Sequence, residues 1–139
     1  MLWAEFYSNI NTMDTKKTIL VVDDEPGICN GLAAALQAWG YRTFAALDGK
    51  KALDSVKEHM PDLILLDVSM PKMDGFEVLK RLKENMQTSH IYVIMLTAKT
   101  ELPDKLKAAG MHAQDYLTKP IELEKIKQAV EKVFETQIP

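Results

Sequence analysis

The sequence predicts an α/β fold built on a doubly wound parallel sheet, and three observations carry that prediction. Short apolar runs rich in Val, Ile and Leu recur along the chain, as in strands buried on both faces of a parallel sheet. The segments between them place apolar residues at helical spacing. The two kinds of segment alternate five times, the order expected of consecutive βαβ units.

Thr18–Val22 is a continuous apolar run that gives way to Asp23-Asp24-Glu25, and Pro26 stands at a favoured first helical position. Ile28, Leu32, Ala35 and Leu36 recur at helical spacing until Trp39, and Gly40 is a ready stop. Tyr41–Ala46 reads as the second strand. Asp48 can cap a helix carrying Ala52, Leu53 and Val56. Pro61 ends that helix, because the residue before a proline is pushed out of the α region. The third strand, 62–67, is the run Leu63-Ile64-Leu65-Leu66 closed by Asp67. Phe76, Val78, Leu79 and Leu82 mark a third helix that stops near Asn85, and Ile91–Leu96 is the fourth strand, ending in Thr97-Ala98-Lys99. Pro103 opens a short fourth helix that includes Leu106. Gln114–Lys119 is the fifth strand, and Leu123, Ile126, Val130, Val133 and Phe134 form the inner stripe of a fifth helix.

The regular pattern makes residues 16–139 one domain. Residues 1–15 are expected to be a flexible extension, with Met13 as an alternative start. If helical, Leu2, Trp3, Phe6, Tyr7 and Ile10 would share a face, so the second reading is an aromatic segment that packs on the domain or on another copy. A net charge of −3 gives no reason for direct nucleic-acid contact. Cys29 is the only cysteine, which forbids an intrachain disulfide and fits a reducing compartment. No apolar run approaches the ~18 residues of a membrane span, and the start lacks the features of a signal peptide. The expected location is the cytoplasm, without membrane partners.

Polar residues gather where the apolar runs end: Asp23 and Asp24 after the first strand, Asp67 after the third, Thr97 after the fourth and Lys119 after the fifth. In a sheet whose order reverses beside the first strand, the ends of strands one and three flank the ligand crevice. Three carboxylates crowded there repel one another, and a hard divalent cation resolves the repulsion. Mg²⁺ accepts such oxygens and commonly leaves positions for phosphate. Lys119 then supplies a point positive charge and Thr97 a hydroxyl donor. A carboxylate nucleophile, a metal and a lysine together describe phosphoryl transfer onto an aspartate, Asp67.

At these residues the chain resembles the response-regulator receiver family. The resemblance is carried by ILVVDDEP (19–26), LILLDVSMPKMDGFEVL (63–79), MLTAK (95–99) and DYLTKP (115–120), within residues 17 to 136. It implies a flavodoxin-like sheet of strand order 2-1-3-4-5 with five helices. It makes Asp67 the phosphoacceptor and gives Mg²⁺ to Asp24, Asp67 and the backbone carbonyl of Ser69, with Asp23 acting through water. Thr97 and Lys119 would contact the phosphoryl oxygens, and Tyr116 would be the switch aromatic. Ser69 and Lys99 match positions that modulate the lifetime of the acyl phosphate, and Lys119-Pro120 matches a peptide bond that is usually cis. His112 departs from the family, which usually carries a glycine there to end the fourth helix; Gly110 can take over that stop.

The implied function is a signalling switch. It would accept a phosphoryl group from a histidine kinase or phosphotransfer protein and show it to a downstream protein, or to an effector domain, through the face made by the fourth helix, fifth strand and fifth helix. It would catalyse its own phosphorylation and dephosphorylation and would not turn over a separate substrate. No linker follows the last helix, so either a stand-alone regulator or a receiver cut from a longer protein is expected.

Taken singly, the site residues have structural readings. Asp23 and Asp24 suit a helix start, Thr97 an N-cap, Lys119 solvent and Tyr116 packing; Cys29 reads as inert packing and His59 and His90 as surface residues. A haloacid-dehalogenase-like phosphohydrolase would need an Asp-x-Asp pair, which Asp67-Val68-Ser69 breaks. A nucleotide- or flavin-binding module would need a glycine cradle, and Asp23-Asp24-Glu25-Pro26-Gly27 offers none.

Overall fold

Successive residues of a strand point to opposite faces of its sheet, so an all-apolar strand needs cover on both sides. The computed structural model, which describes residues 16–98 and 110–135, meets this demand in alternation. Leu20, Val22, Ile64, Leu66, Val93 and Met95 face one layer, while Ile19, Val21, Leu63, Leu65, Ile94 and Leu96 face the other.

The elements are β1 (Thr18–Val22), α1 (Pro26–Ala38), β2 (Arg42–Ala46), α2 (Gly49–His59), β3 (Leu63–Asp67), α3 (Gly75–Glu84), β4 (Tyr92–Thr97), β5 (Asp115–Thr118) and α4 (Leu123–Glu135). The five strands are parallel in the order β2-β1-β3-β4-β5, as the resemblance implied. Ala52 and Val56 of α2 and Phe76, Leu79 and Leu82 of α3 complete one layer. Cys29, Leu32 and Leu36 of α1 and Ile126, Val130 and Val133 of α4 complete the other. Residues 1–15 and 99–109 lie outside the described residues, and with them fall the N-terminal extension, Lys99 and the fourth predicted helix up to Gly110.

Element ends follow local hydrogen bonding. Helix α1 closes in a Schellman motif: Gly40, at φ 99°, donates to Gln37 and Tyr41 donates to Leu36. That bond takes Tyr41 out of the predicted second strand, which begins at Arg42. Asp48 caps α2 by accepting the Lys51 N–H at 2.8 Å. Met60, at φ 43°, ends that helix just ahead of Pro61. His59 is not a bare surface group: its ring stacks on Phe44 of β2, with centroids 3.5 Å apart. His112 adopts φ 66°, a left-handed backbone that His tolerates better than a β-branched residue does.

Candidate functional site

Parallel pairing sets the strand ends side by side. Val22 is in register with Leu66, so Asp23 leaves β1 next to Asp67 at the end of β3. Asp67 in turn pairs with Leu96, one residue before Thr97. Thr97 is opposite Thr118, and the Lys119 N–H donates to the Thr97 carbonyl at 2.6 Å. The Lys119-Pro120 bond is cis, as expected.

The ammonium of Lys119 bridges the two buried carboxylates, 2.9 Å from Asp23 Oδ2 and 3.3 Å from Asp67 Oδ1. Asp23 is 0% exposed and Asp67 3%. Burial first, and the charge of Asp23 second, push the Asp67 carboxyl up to about 6 against the pull of Lys119. Burial works against the Lys119 ammonium too, but its hydrogen bond to Asp23 and the charges of Asp67 and Asp23 outweigh that penalty and hold it above the ordinary lysine range.

The remaining atoms of the carboxylates divide by role. Asp23 Oδ1 accepts the Glu25 N–H at 2.9 Å, so this side chain both braces the start of α1 and holds Lys119. Asp67 Oδ1 also accepts the Ser69 N–H at 3.3 Å, which leaves Oδ2 as the oxygen with no hydrogen bond among the described residues. Asp24 is exposed. One oxygen from each of Asp23, Asp24 and Asp67 lies within 4.8 Å of the others. Three carboxylates with one side open to water form a donor set that fits a hard divalent cation such as Mg²⁺.

Four of the predicted residues, Asp23, Asp24, Asp67 and Lys119, thus converge, with Ser69 and Thr97 beside them. Tyr116 stands apart from the cluster. It pairs with Met95, two residues before Thr97, and packs half-buried against the layer that includes Met95. Two contributors escaped the sequence reading. A Cβ on Gly75 would overlap the Asp67 carbonyl oxygen and stand 2.9 Å from Val68 Cα, so only glycine lets α3 start this close to the acceptor strand. Asp74 caps α3 by accepting the Glu77 N–H at 3.0 Å. Its place three residues before a glutamate was the legible signal, although Glu77 turns to Arg81 instead of back to the cap.

Comparison with known proteins gives the family. Residues 19–131 match the response regulator receiver domain family. The chain is 41% identical over 108 residues to the DNA-binding dual master transcriptional regulator RpaA of Synechocystis, covering 78% of this chain and 45% of that protein. It is 42% identical over 118 residues to the alkaline phosphatase synthesis transcriptional regulatory protein PhoP of Bacillus subtilis, covering 85% and 48%. It therefore spans about half the length of these two relatives. Sporulation initiation phosphotransferase F of Bacillus subtilis is 41% identical over 114 residues, covering 82% of this chain and 90% of that one. Among solved structures, the chemotaxis protein CheY4 of Vibrio cholerae superposes with a TM-score of 0.81 at 31% identity, over 86% of this chain and 99% of the other. The chain belongs to the response-regulator receiver domain family of two-component signalling.

Proposed function

We propose that Asp67 accepts a phosphoryl group from a histidine kinase or phosphotransfer protein and that the phosphorylated domain acts as a signalling switch. The observation that carries this reading is the Lys119 ammonium set between Asp23 and Asp67 in a buried acidic site. In-line attack by Asp67 Oδ2 forms the O–P bond while the bond from phosphorus to the donor imidazole breaks, and the leaving imidazole keeps that electron pair. Lys119 follows the charge from carboxylate to phosphoryl oxygen, and the Thr97 hydroxyl donates to a second oxygen. Asp24, Asp67 and the Ser69 carbonyl would hold Mg²⁺, with Asp23 acting through water. Bound there, the ion offsets the negative charge that would otherwise turn the donor away.

The chemistry is self-modification and slow self-hydrolysis, without turnover of a separate substrate. Incubation with Mg²⁺ and acetyl phosphate is expected to add one hydroxylamine-labile phosphoryl group, read by intact mass. Asp67→Asn and metal chelation should each abolish it. Uptake by Asp67→Asn at the wild-type rate would sink the assignment.

The output route proposed is inward movement of Thr97 toward the phosphoryl group, followed by burial of Tyr116 in the space vacated. Both Tyr116 rotamers should exist beforehand, since phosphorylation only shifts their populations. Moving that balance from about 1:10 to about 10:1 takes roughly 2–3 kcal/mol, within reach of a charge-assisted hydrogen bond plus ring burial. The face made by the fourth predicted helix, β5 and α4 would then meet a partner protein or effector domain in the cytoplasm. Thr97→Ala should still be phosphorylated yet lose most of the phosphate-dependent gain in partner affinity. An undiminished gain in that variant would rule the route out.

A further inference from the structure

Where β1 ends beside β2, three backbone carbonyls converge on one buried side chain. Cys29 Sγ lies 3.3 Å from the Asp23 oxygen, 3.6 Å from that of Ala46 and 3.8 Å from that of Val21. Cys29 is 1% exposed, on the first turn of α1 directly beneath the acidic turn. The rest of Asp23 is already anchored: its N–H donates to the Ala46 carbonyl at 3.2 Å, and its carboxylate holds the Glu25 N–H and Lys119. Among the described residues no backbone N–H reaches the Asp23 carbonyl, and the thiol is the donor that does.

That carbonyl shares a rigid peptide plane with the N–H of Asp24. Whatever fixes the Asp23 oxygen therefore fixes the direction in which the chain enters Asp24, the exposed member of the carboxylate trio. A buried carbonyl without a donor turns toward solvent or toward another donor, and in turning would swing Asp24 away from Asp67.

We propose that Cys29 is a positioning residue: its thiol holds the Asp23–Asp24 peptide plane so that the acidic pair and Asp67 converge on one divalent cation. The inference rests on the phosphoacceptor reading above and adds to it a group that touches neither phosphate nor metal. It also replaces the sequence reading of Cys29 as inert packing.

The test compares Cys29→Ala, Cys29→Val and Cys29→Ser with wild type in the full chain. Mg²⁺ affinity is measured by calorimetry, the Mg²⁺ dependence of acetyl phosphate labelling by mass, and thermal stability alongside. Alanine and valine remove the donor, and valine keeps the volume; serine restores a donor at the same place. The first two should weaken Mg²⁺ binding roughly 3- to 10-fold, less than the roughly 10- to 100-fold of groups bonded directly to a metal ligand's side chain, while serine stays within about twofold. A purely structural role would move melting temperature in all three without this split. Wild-type affinity in alanine and valine overturns the proposal, and so does a serine variant as weak as alanine. Should alanine not fold, valine against serine decides. A wild type that binds Mg²⁺ but takes no phosphate would defeat the phosphoacceptor reading while leaving the calorimetric comparison intact.

Discussion

At the carboxyl end of the sheet, Asp23, Asp67 and Lys119 converge in a site whose two paired carboxylates are buried. At the amino end, Lys16, Lys17, Arg42, His59 and Asp62 line a recess of about 240 Å³ with Thr18 and Met60. Helix polarity accounts for the sign at both ends. Helices that follow parallel strands begin at the carboxyl end, where Asp48 and Asp74 cap and Glu77 and Glu124 occupy first turns. They finish at the other end with Lys57, His59, Arg81, Lys83 and Lys132 in their last turns. What helix polarity leaves unexplained is burial. Asp62 at the amino end gives an oxygen to the Thr18 N–H at 2.8 Å and is only half-buried. Asp67 is buried beside a second carboxylate, which raises its carboxyl pKa, and perturbed groups of this kind cluster at functional sites.

The largest expected effect tests whether convergence or mere charge matters. Lys119→Met leaves Asp23 and Asp67 facing each other without the intervening ammonium and should slow acetyl phosphate labelling by roughly 100-fold or more, as when a preorganised charge is removed from a transition state. Lys16→Met, at the exposed amino-end recess, should change the rate by less than about twofold. Equal losses from the two, measured under identical Mg²⁺, would mean that the overall field and not the buried contact drives the chemistry.

How much of this could be seen in the sequence depended on whether the cause was local. The strands were legible because a strand buried on both faces has to be apolar throughout, and Asp23, Asp67 and Thr97 because each interrupts such a run. Asp48 as a cap and Gly40 as a stop were equally local. The strand boundaries drifted by a residue where a turn claimed the flanking N–H: Ile91 donates to Thr88 and so stays outside β4. The stacking of His59 on Phe44, the overlap awaiting any side chain at Gly75, and the carbonyls gathered around Cys29 are tertiary facts with no trace in spacing. Lys119 lies between: its residue type could be read and its place beside Asp67 came through family resemblance, but its shorter contact, with Asp23 96 positions away, was not foreseen.

A smaller effect concerns stability, and the two ends should differ in sign. Asp67 titrates at about 6 in the fold and near 3.9 when unfolded, so between these values the folded chain holds more protons than the unfolded one. Its contribution to stability is fully present below about pH 4 and is lost as pH rises through about 6. At pH 7 with chelator, Asp67→Asn should therefore be more stable than wild type by up to about 3 kcal/mol. The advantage should vanish near pH 4 and shrink with Mg²⁺, which stabilises the carboxylate form. Asp62→Ala should instead lose about 1 kcal/mol, because the Thr18 N–H loses its acceptor. Chemical denaturation across pH reads both, and an Asp67→Asn variant no more stable than wild type at pH 7 would remove the strain inferred at this site.

The smallest effect separates two kinds of acid at the same end of the sheet. Asp48 and Asp74 share that end with Asp23 and Asp67, yet each gives its carboxylate to a helix N–H, at 2.8 Å and 3.0 Å. Neither belongs to the trio whose oxygens lie within 4.8 Å of one another. If helix capping is their whole role, Asp48→Ala and Asp74→Ala should each cost about 1 kcal/mol, and the corresponding asparagine variants, which can still accept the bond, only a few tenths. Both exchanges remove a negative charge, so each also asks whether distant carboxylates help attract the cation. At about 0.15 M salt the Debye length is roughly 8 Å, and the Mg²⁺ half-saturation of labelling should move by less than about twofold. A tenfold move in either asparagine variant, with stability unchanged, would extend the site beyond Asp23, Asp24 and Asp67 and dissolve the distinction between capping acids and the proposed metal-binding ones.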